Sequence, residues 1–257
     1  MSRRIALEGI DNFRDFGDYA AGPRRLKAGL LYRSGHPGRA TEADLGKLAD
    51  LGLCVIVDLR RANEREREPW PRRPGSAVQV IENDLGQESL EEWADFIAGS
   101  DLTAASFRNF MLGYYRQAPF QRRHIDLYGR YFRALAEADG PVLVHCAAGK
   151  DRTGILCALT HHLAGVSEDD LFADYLLTNE PERLAARLPM IREVIQTNTG
   201  RTASDEALMT AMRVEAEYLA EAIEAMSEAH GSLDGYLDQA LGLDAALRER
   251  LHARLLA

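Results

Sequence analysis

The stretch Val142-Leu-Val-His-Cys-Ala-Ala-Gly-Lys-Asp-Arg-Thr-Gly154 decides how this chain is read. A short apolar run leads into His145-Cys146, a loop of small residues follows, and Arg152-Thr153-Gly154 opens a helical segment. Strand, tight loop and helix start in that order make an anion site, because loop amides and the positive end of a helix converge on one point. A cysteine set there is favoured as its thiolate. Ala147, Ala148 and Gly149 are small enough for the backbone to curl around a tetrahedral dianion, and the ring of groups continues through Lys150, Asp151 and Arg152. Arg152, six residues after Cys146, folds back to hold two phosphoryl oxygens with its planar fork. Thr153 is placed to donate a hydrogen bond to the cysteine sulfur and stabilise it as a leaving group. A lone cysteine is usually buried filler, but filler does not account for His145, Arg152 and Thr153 in the same turn. A cysteine protease is disfavoured because His145 is adjacent in sequence and cannot swing round as base. A nucleotide-binding phosphate loop is excluded: Asp151 follows Lys150, and Val144 stands where the first glycine belongs.

Outward from this segment, the N-terminal half alternates strand and helix signals. Residues up to about Gly38 are rich in Gly, Arg and Pro and read as irregular or short extended pieces. Thr41 with Asp44 resembles a capping box for a short helix that Gly52 ends. Leu53–Leu59 is a β-branched run read as a buried strand, and Val78–Ile81 as a second. Arg60 to Arg73 is charge-dense and closes on Pro69, Pro71 and Pro74, a loop or short helix with a firm stop. Residues 89–116 read as helical in pieces, and a helix from about Gln121 ends at Asp139-Gly140. After Pro141–Val144, everything is helical: Arg152 to about Ala164, a helix capped by Ser167, then roughly 181–197, 204–229, 232–241 and 244–256. The expected fold is α/β, a central mostly parallel sheet flanked by helices, with an all-helical C-terminal extension. One phosphate-handling domain spans 1–257, with a core over 1–165 and an extension over 166–257.

The 257 residues carry a formal net charge of −9. The acidity is local: residues 1–157 hold 23 Lys and Arg against 22 Asp and Glu, and residues 158–257 hold 8 against 18. The low isoelectric point argues against a nucleic-acid binder but does not describe the half that carries the loop. No apolar run is long enough to span a bilayer, and no apolar leader is seen, so a soluble, cytoplasmic location is expected. Cys54, Cys146 and Cys157 lack metal-ligand spacing, so neither a metal nor another cofactor is expected.

The Cys-x5-Arg arrangement resembles the protein tyrosine phosphatase superfamily. The fuller loop Ala148-Gly-Lys-Asp-Arg-Thr-Gly154 resembles a bacterial tyrosine phosphatase family that includes tyrosine and lipid phosphatases. Asn12-Phe-Arg-Asp-Phe-Gly17, Leu31-Tyr-Arg-Ser-Gly35 and Val57-Asp-Leu-Arg60 match that family's recurring pieces in order, and Tyr218-Leu219 and Gly231–Leu237 match more loosely. The resemblance implies phosphomonoester hydrolysis through a phosphocysteine on Cys146, stabilised by Arg152 and the loop amides, with His145 orienting the loop and lowering the thiol pKa. Expected substrates are phosphotyrosine, with phosphoserine/threonine or phosphoinositides beside it; the partner is the phosphorylated substrate, and oligomeric state is left open.

Several roles stay open at this level. The Trp-Pro-Asp acid of many superfamily members is missing, since Trp70-Pro71 is followed by Arg72. The resemblance implies a general acid in the loop, Asp151, with Asp58 in support; Asp58 also stands at a strand C-terminus, where ligands bind in α/β sheets. Its alternative role is partner to an arginine such as Arg33 or Arg60. Asp84 is the third candidate. Lys150 goes with phosphoinositide activity in the resembling family, or is a solvated lysine. Arg60 and Arg61 meet a second phosphate or pair with Glu64. The helices of about 181–229 fold over the site or simply pack, with Met209, Met212 and Met226 read as core. Cys54 or Cys157 traps an oxidised Cys146, or is filler. A phosphopeptide-binding module on the same fold, and a loop for sulfur transfer or arsenate reduction, are the competing functions.

Overall fold

A computed structural model describes residues 3–70, 77–86 and 92–257. Pro71 and Pro74, and residues 89–91 of the expected helical region, lie outside them.

Three β-branched or apolar tetrapeptides build the centre. Strands β1 (Arg14–Asp15), β2 (Ala20–Ala21), β3 (Arg24–Arg25), β4 (Leu31–Ser34), β5 (Val55–Asp58), β6 (Gln79–Ile81) and β7 (Val142–His145) form two sheets. The main sheet has the order β1-β4-β7-β5-β6, parallel throughout except for β1 against β4. β2 and β3 form a separate hairpin. Side chains alternate between the two faces, as strand geometry requires. Leu31, Val55, Val57, Val142 and Val144 enter the larger core. Tyr32, Ile56 and Leu143 enter a smaller one with Ile10, Phe13, Leu48 and Leu53.

That second face is covered by α1 (Glu42–Asp50), whose capping box on Thr41 and Asp44 forms as expected. The charged stretch after β5 yields a short helix, α2 (Ala62–Arg67). Helices α3 (Glu92–Gly99), α4 (Ala104–Gln117) and α5 (Arg122–Glu137) precede β7, and α6 (Asp151–Ala164) follows it. The extension comprises α7 (Glu168–Leu176), α8 (Pro181–Thr199), α9 (Asp205–Met212), α10 (Ala216–His230), α11 (Leu233–Gln239) and α12 (Ala245–Leu255).

The helix expected over 204–229 is broken at 213–215. There the Asn179 side chain donates to the Val214 carbonyl at 2.6 Å and accepts from its amide at 2.8 Å. An amide that satisfies both backbone groups of one residue substitutes for a helical turn, and the buried Val214 fixes the bend. The break separates two destinations. α10 packs its Tyr218, Leu219, Ala222 and Met226 into the main core. α9 joins α3, α8 and the start of α4 in a third cluster around Ile97, Phe107, Ile195 and Leu208. Met212 and Met226 are buried as expected, and Met209 is half-buried.

Residues 255–257 return to the first half: the Lys27 amide donates to the Leu255 carbonyl at 2.8 Å, and Arg25 and Ala257 exchange backbone hydrogen bonds. No helix among the described residues is long and apolar enough to cross a membrane.

Candidate active site

The parallel register puts Ser34, His145 and Asp58 side by side at the C-terminal ends of β4, β7 and β5. The chain leaves all three strands at one edge, and the 146–152 loop is assembled there. Gly149 explains how the loop closes. Its φ is +63°, and a Cβ at this position would lie 2.3 Å from the Ser34 carbonyl carbon, so no other residue fits. Asn12 holds the same turn from below, its Nδ2 donating to the Gly149 carbonyl at 2.8 Å. Arg33 Nη2 donates to that carbonyl at 3.1 Å, and Arg183 Nη2 to the Ala148 carbonyl at 3.2 Å. These bonds hold the Ala148 and Gly149 carbonyls from three separate segments.

Behind the loop lies a dry ion cluster. Asp174 of α7 accepts from Arg33 at 2.7 Å and more loosely from Arg14, all three buried. Burial works against the Asp174 charge, but the two guanidiniums outweigh it and hold the carboxyl far below its usual range. Arg14 also donates to Asn12 Oδ1, so the brace on Gly149 is itself braced.

Cys146 is buried at the base of a cavity of about 860 Å³. Ala147, Ala148, Lys150, Asp151 and Arg152 line it with Cys146, so the loop residues singled out in the sequence come together. The walls are Trp93 and Ile97 from α3, Phe110 and Tyr114 from α4, and Met190, Ile191 and Val194 from α8. Arg61, Arg183 and Arg187 add cations.

Arg152 is oriented by Glu64 of α2. Nη1 reaches Oε2 at 2.6 Å and the Leu59 carbonyl at 3.1 Å, and Nη2 reaches Oε1 at 2.8 Å. Of the five guanidinium N–H groups, Nε–H and one on Nη2 are then uncommitted among the described residues. Two is the number a grip on two phosphoryl oxygens requires. Burial opposes the charge of Glu64, but Arg152 and its hydrogen bonds outweigh that and bring its pKa down to about 2. Glu64 was visible in the sequence only as a partner for Arg60 or Arg61. The cue that existed was its place three residues after Arg61, where its Oε2 also accepts the Arg61 amide at 2.8 Å.

Asp58 is not at the cavity. Both of its oxygens accept from Arg60, at 2.9 Å to Nε and 2.7 Å to Nη2, and it is buried with that arginine. The expected supporting acid is therefore the arginine partner that was its alternative, and Arg60 is not available to a second phosphate. Asp84 is exposed and paired with Arg65. Asp151 does line the cavity, with Tyr115 Oη donating to its Oδ1 at 2.8 Å.

His145 is fully buried, 3.7 Å from Asp58 and edge-on to Trp70. Burial drives its pKa down to about 4, against the pull of Asp58. Thr153 Oγ1 is buried and, among the described residues, makes no hydrogen bond to Cys146. Lys150 is not the solvated lysine that was one of its two readings, and it lines the cavity. It is buried, and its Nζ donates to the carbonyls of Ala211 and Arg213 at the end of α9, at 2.8 and 3.2 Å. Cys157 is buried in α6, where desolvation raises its thiol pKa to about 12, and Cys54 points to the Pro141 carbonyl.

A family model described as "tyrosine phosphatase family" matches residues 5–257. The chain belongs to that family. It is 34% identical to the triple specificity protein phosphatase PtpB of Mycobacterium tuberculosis, over 97% of this chain and 98% of that one. It is 33% identical to a protein of Cupriavidus necator named as a tyrosine-protein phosphatase, over 94% and 85% of the two chains. A third tyrosine-protein phosphatase, from Nostoc commune, is 32% identical over 60% of this chain and 49% of its own. This protein is thus a protein-tyrosine phosphatase, and the expected α/β fold with a mostly parallel sheet is the one observed. In this phosphatase the matched region runs through the helical extension as well as the loop, and α8 and α9 supply part of the cavity wall.

Proposed function

We propose that this phosphatase hydrolyses phosphomonoesters by two in-line displacements at phosphorus, with Cys146 as nucleophile and Asp151 as general acid. In the first step Cys146 Sγ forms a bond to phosphorus as the ester P–O bond breaks. The proton on Asp151 passes to the departing oxygen. In the second step a water oxygen bonds to phosphorus, the S–P bond breaks, and Asp151 takes the water proton. Arg152 and the loop amides stabilise the equatorial oxygens throughout, which is the dominant electrostatic contribution.

The supporting observation is the state of Arg152. Glu64 fixes its plane, two N–H groups remain for a ligand, and Cys146 and Asp151 share the cavity it faces. The substrate class we infer is phosphotyrosine together with phosphoserine/threonine and phosphoinositides. Trp93, Phe110 and Tyr114 give an apolar slot for a phenyl ring, Arg183 and Arg187 add positive charge beside the loop, and the 34% identical relative is named for triple specificity.

Cys146→Ser is expected to abolish turnover while retaining phosphate binding by calorimetry. Full activity in that variant rejects the mechanism. Asp151→Asn is expected to remove the basic limb of the pH–rate profile with an aryl phosphate, and Asp58→Asn to keep it. The reverse pattern would return the acid role to Asp58.

A further inference from the structure

Asp151 is met from one side by two buried tyrosines arranged in series. Tyr115 of α4 donates from Oη to Asp151 Oδ1 at 2.8 Å, and Tyr175 of α7 lies 2.7 Å from Tyr115 Oη. Both rings are essentially without solvent contact. Tyr115 has one hydroxyl proton and gives it to the carboxylate, so in the Tyr175–Tyr115 contact Tyr175 is the donor. The two hydroxyl dipoles therefore point the same way, toward Oδ1, and each polarises the next. The nearest Lys150 contact, at 3.6 Å, is also to Oδ1. Among the described residues Oδ2 accepts no hydrogen bond.

We propose that Tyr115 and Tyr175 are positioning residues that divide the labour between the two oxygens of Asp151: Oδ1 is held by the tyrosine chain, and Oδ2 alone carries the transferred proton. This rests on the reading of Asp151 as general acid and goes beyond it. A freely rotating carboxyl presents either oxygen, protonated or not, to the leaving group. One anchored through Oδ1 presents a single oxygen at a fixed angle, which is the orientation that proton transfer requires. The other groups facing Asp151 are Lys150 on its own loop, Tyr114 on α4, Arg183 on α8 and Tyr218 on α10. The tyrosine pair is set apart from these by the direct hydrogen bond.

The test is a pH profile of kcat/KM for Tyr115→Phe, Tyr175→Phe and Asp151→Asn, on phenyl phosphate and on p-nitrophenyl phosphate. Tyr115→Phe, which removes the direct hydrogen bond to Oδ1, should move the basic limb to higher pH, and Tyr175→Phe, one bond further away, should move it less. The rate loss should be larger with phenyl phosphate, the poorer leaving group. In the Asp151→Asn background, Tyr115→Phe should add nothing to the pH dependence. If Asp151→Asn keeps the basic limb, the general-acid reading fails and the proposal falls with it. If Asp151→Asn loses the limb but Tyr115→Phe leaves it in place, the proposal alone is overturned. A loss equal at every pH and for both leaving groups would also overturn it, marking the tyrosines as packing only; near-wild-type thermal unfolding of the Phe variants identifies the other outcomes as chemical.

Discussion

The two sides of the catalytic cavity are built on opposite principles. Its floor rests on buried ion pairs, Asp174 with Arg14 and Arg33 and Asp58 with Arg60, and carries the partly buried Glu64–Arg152 pair. Its outer wall, α3, α8 and α9, is a small apolar cluster separate from the main core. That wall leaves Met190 and Val194 exposed at 43% and 40%, carries Pro189 inside α8, and is pinned at its surface by an Arg192–Asp205 pair. Buried ion pairs add little net stability over apolar packing but are costly to break singly, so the floor holds one geometry. The wall has a small core, and elements with few buried contacts open at lower free energy than the rest of the fold. The floor is therefore expected to hold its geometry and the wall to open first, a difference that substitutions on each side can test.

Asp174→Ala tests the floor most severely. It strands Arg14 and Arg33 without a counter-ion, and a loss of about 3–5 kcal/mol in urea unfolding is expected. A loss below about 1 kcal/mol would mean the cluster does not hold the loop. Glu64→Gln comes next. The fold should survive, and kcat/KM should fall roughly tenfold to a hundredfold as Arg152 loses its fixed plane. The same variant has a pH signature. A carboxyl depressed to about 2 in the folded state contributes stability above its unfolded pKa and loses it as pH falls through the folded value. Wild-type stability should thus drop between about pH 4.5 and 2, and Glu64→Gln should lack that part of the drop.

Lys150→Met addresses the join between floor and wall. Losing its bonds to the end of α9 should cost at most about 2 kcal/mol. Amide exchange across α8 and α9 should rise, while exchange in α6 and β7 stays slow. Uniform exchange would show that wall and floor open together. Arg192→Ala, at the exposed pair, should remain within about 1 kcal/mol of wild type in thermal unfolding.

The same contrast explains what was legible in the sequence. Strands β5 and β7 and helices α1, α5 and α6 announce themselves, because apolar periodicity, a capping box and glycine stops are local signals. Cys146, Arg152 and Asp151 are legible because one contiguous loop holds them. Partners that meet from distant segments were not. Glu64 in a charge-dense stretch looks like any surface acid until α2 places it against Arg152. Tyr115 and Tyr175 lie sixty residues apart and carry no local signal; only the fold brings the hydroxyls of α4 and α7 within 2.7 Å. Asp58 illustrates the opposite error: a strand-end position pointed to the ligand side, and the buried Arg60 two residues on claimed both its oxygens. The burial of Lys150 was not legible because a lysine in a loop is normally solvated, whereas here the end of α9 is in reach.

The stitching of residues 255–257 onto the Arg25–Lys27 segment bears on how the protein is made. Contacts of such long sequence separation carry a loop-closure entropy cost and slow folding. During synthesis the Cys146 loop emerges well before Leu255, so a nascent chain has that loop for a time without the backbone bonds that Leu255 and Ala257 make to Lys27 and Arg25. Removing residues 255–257 should accordingly loosen the Arg25–Lys27 segment, which lies far away in sequence.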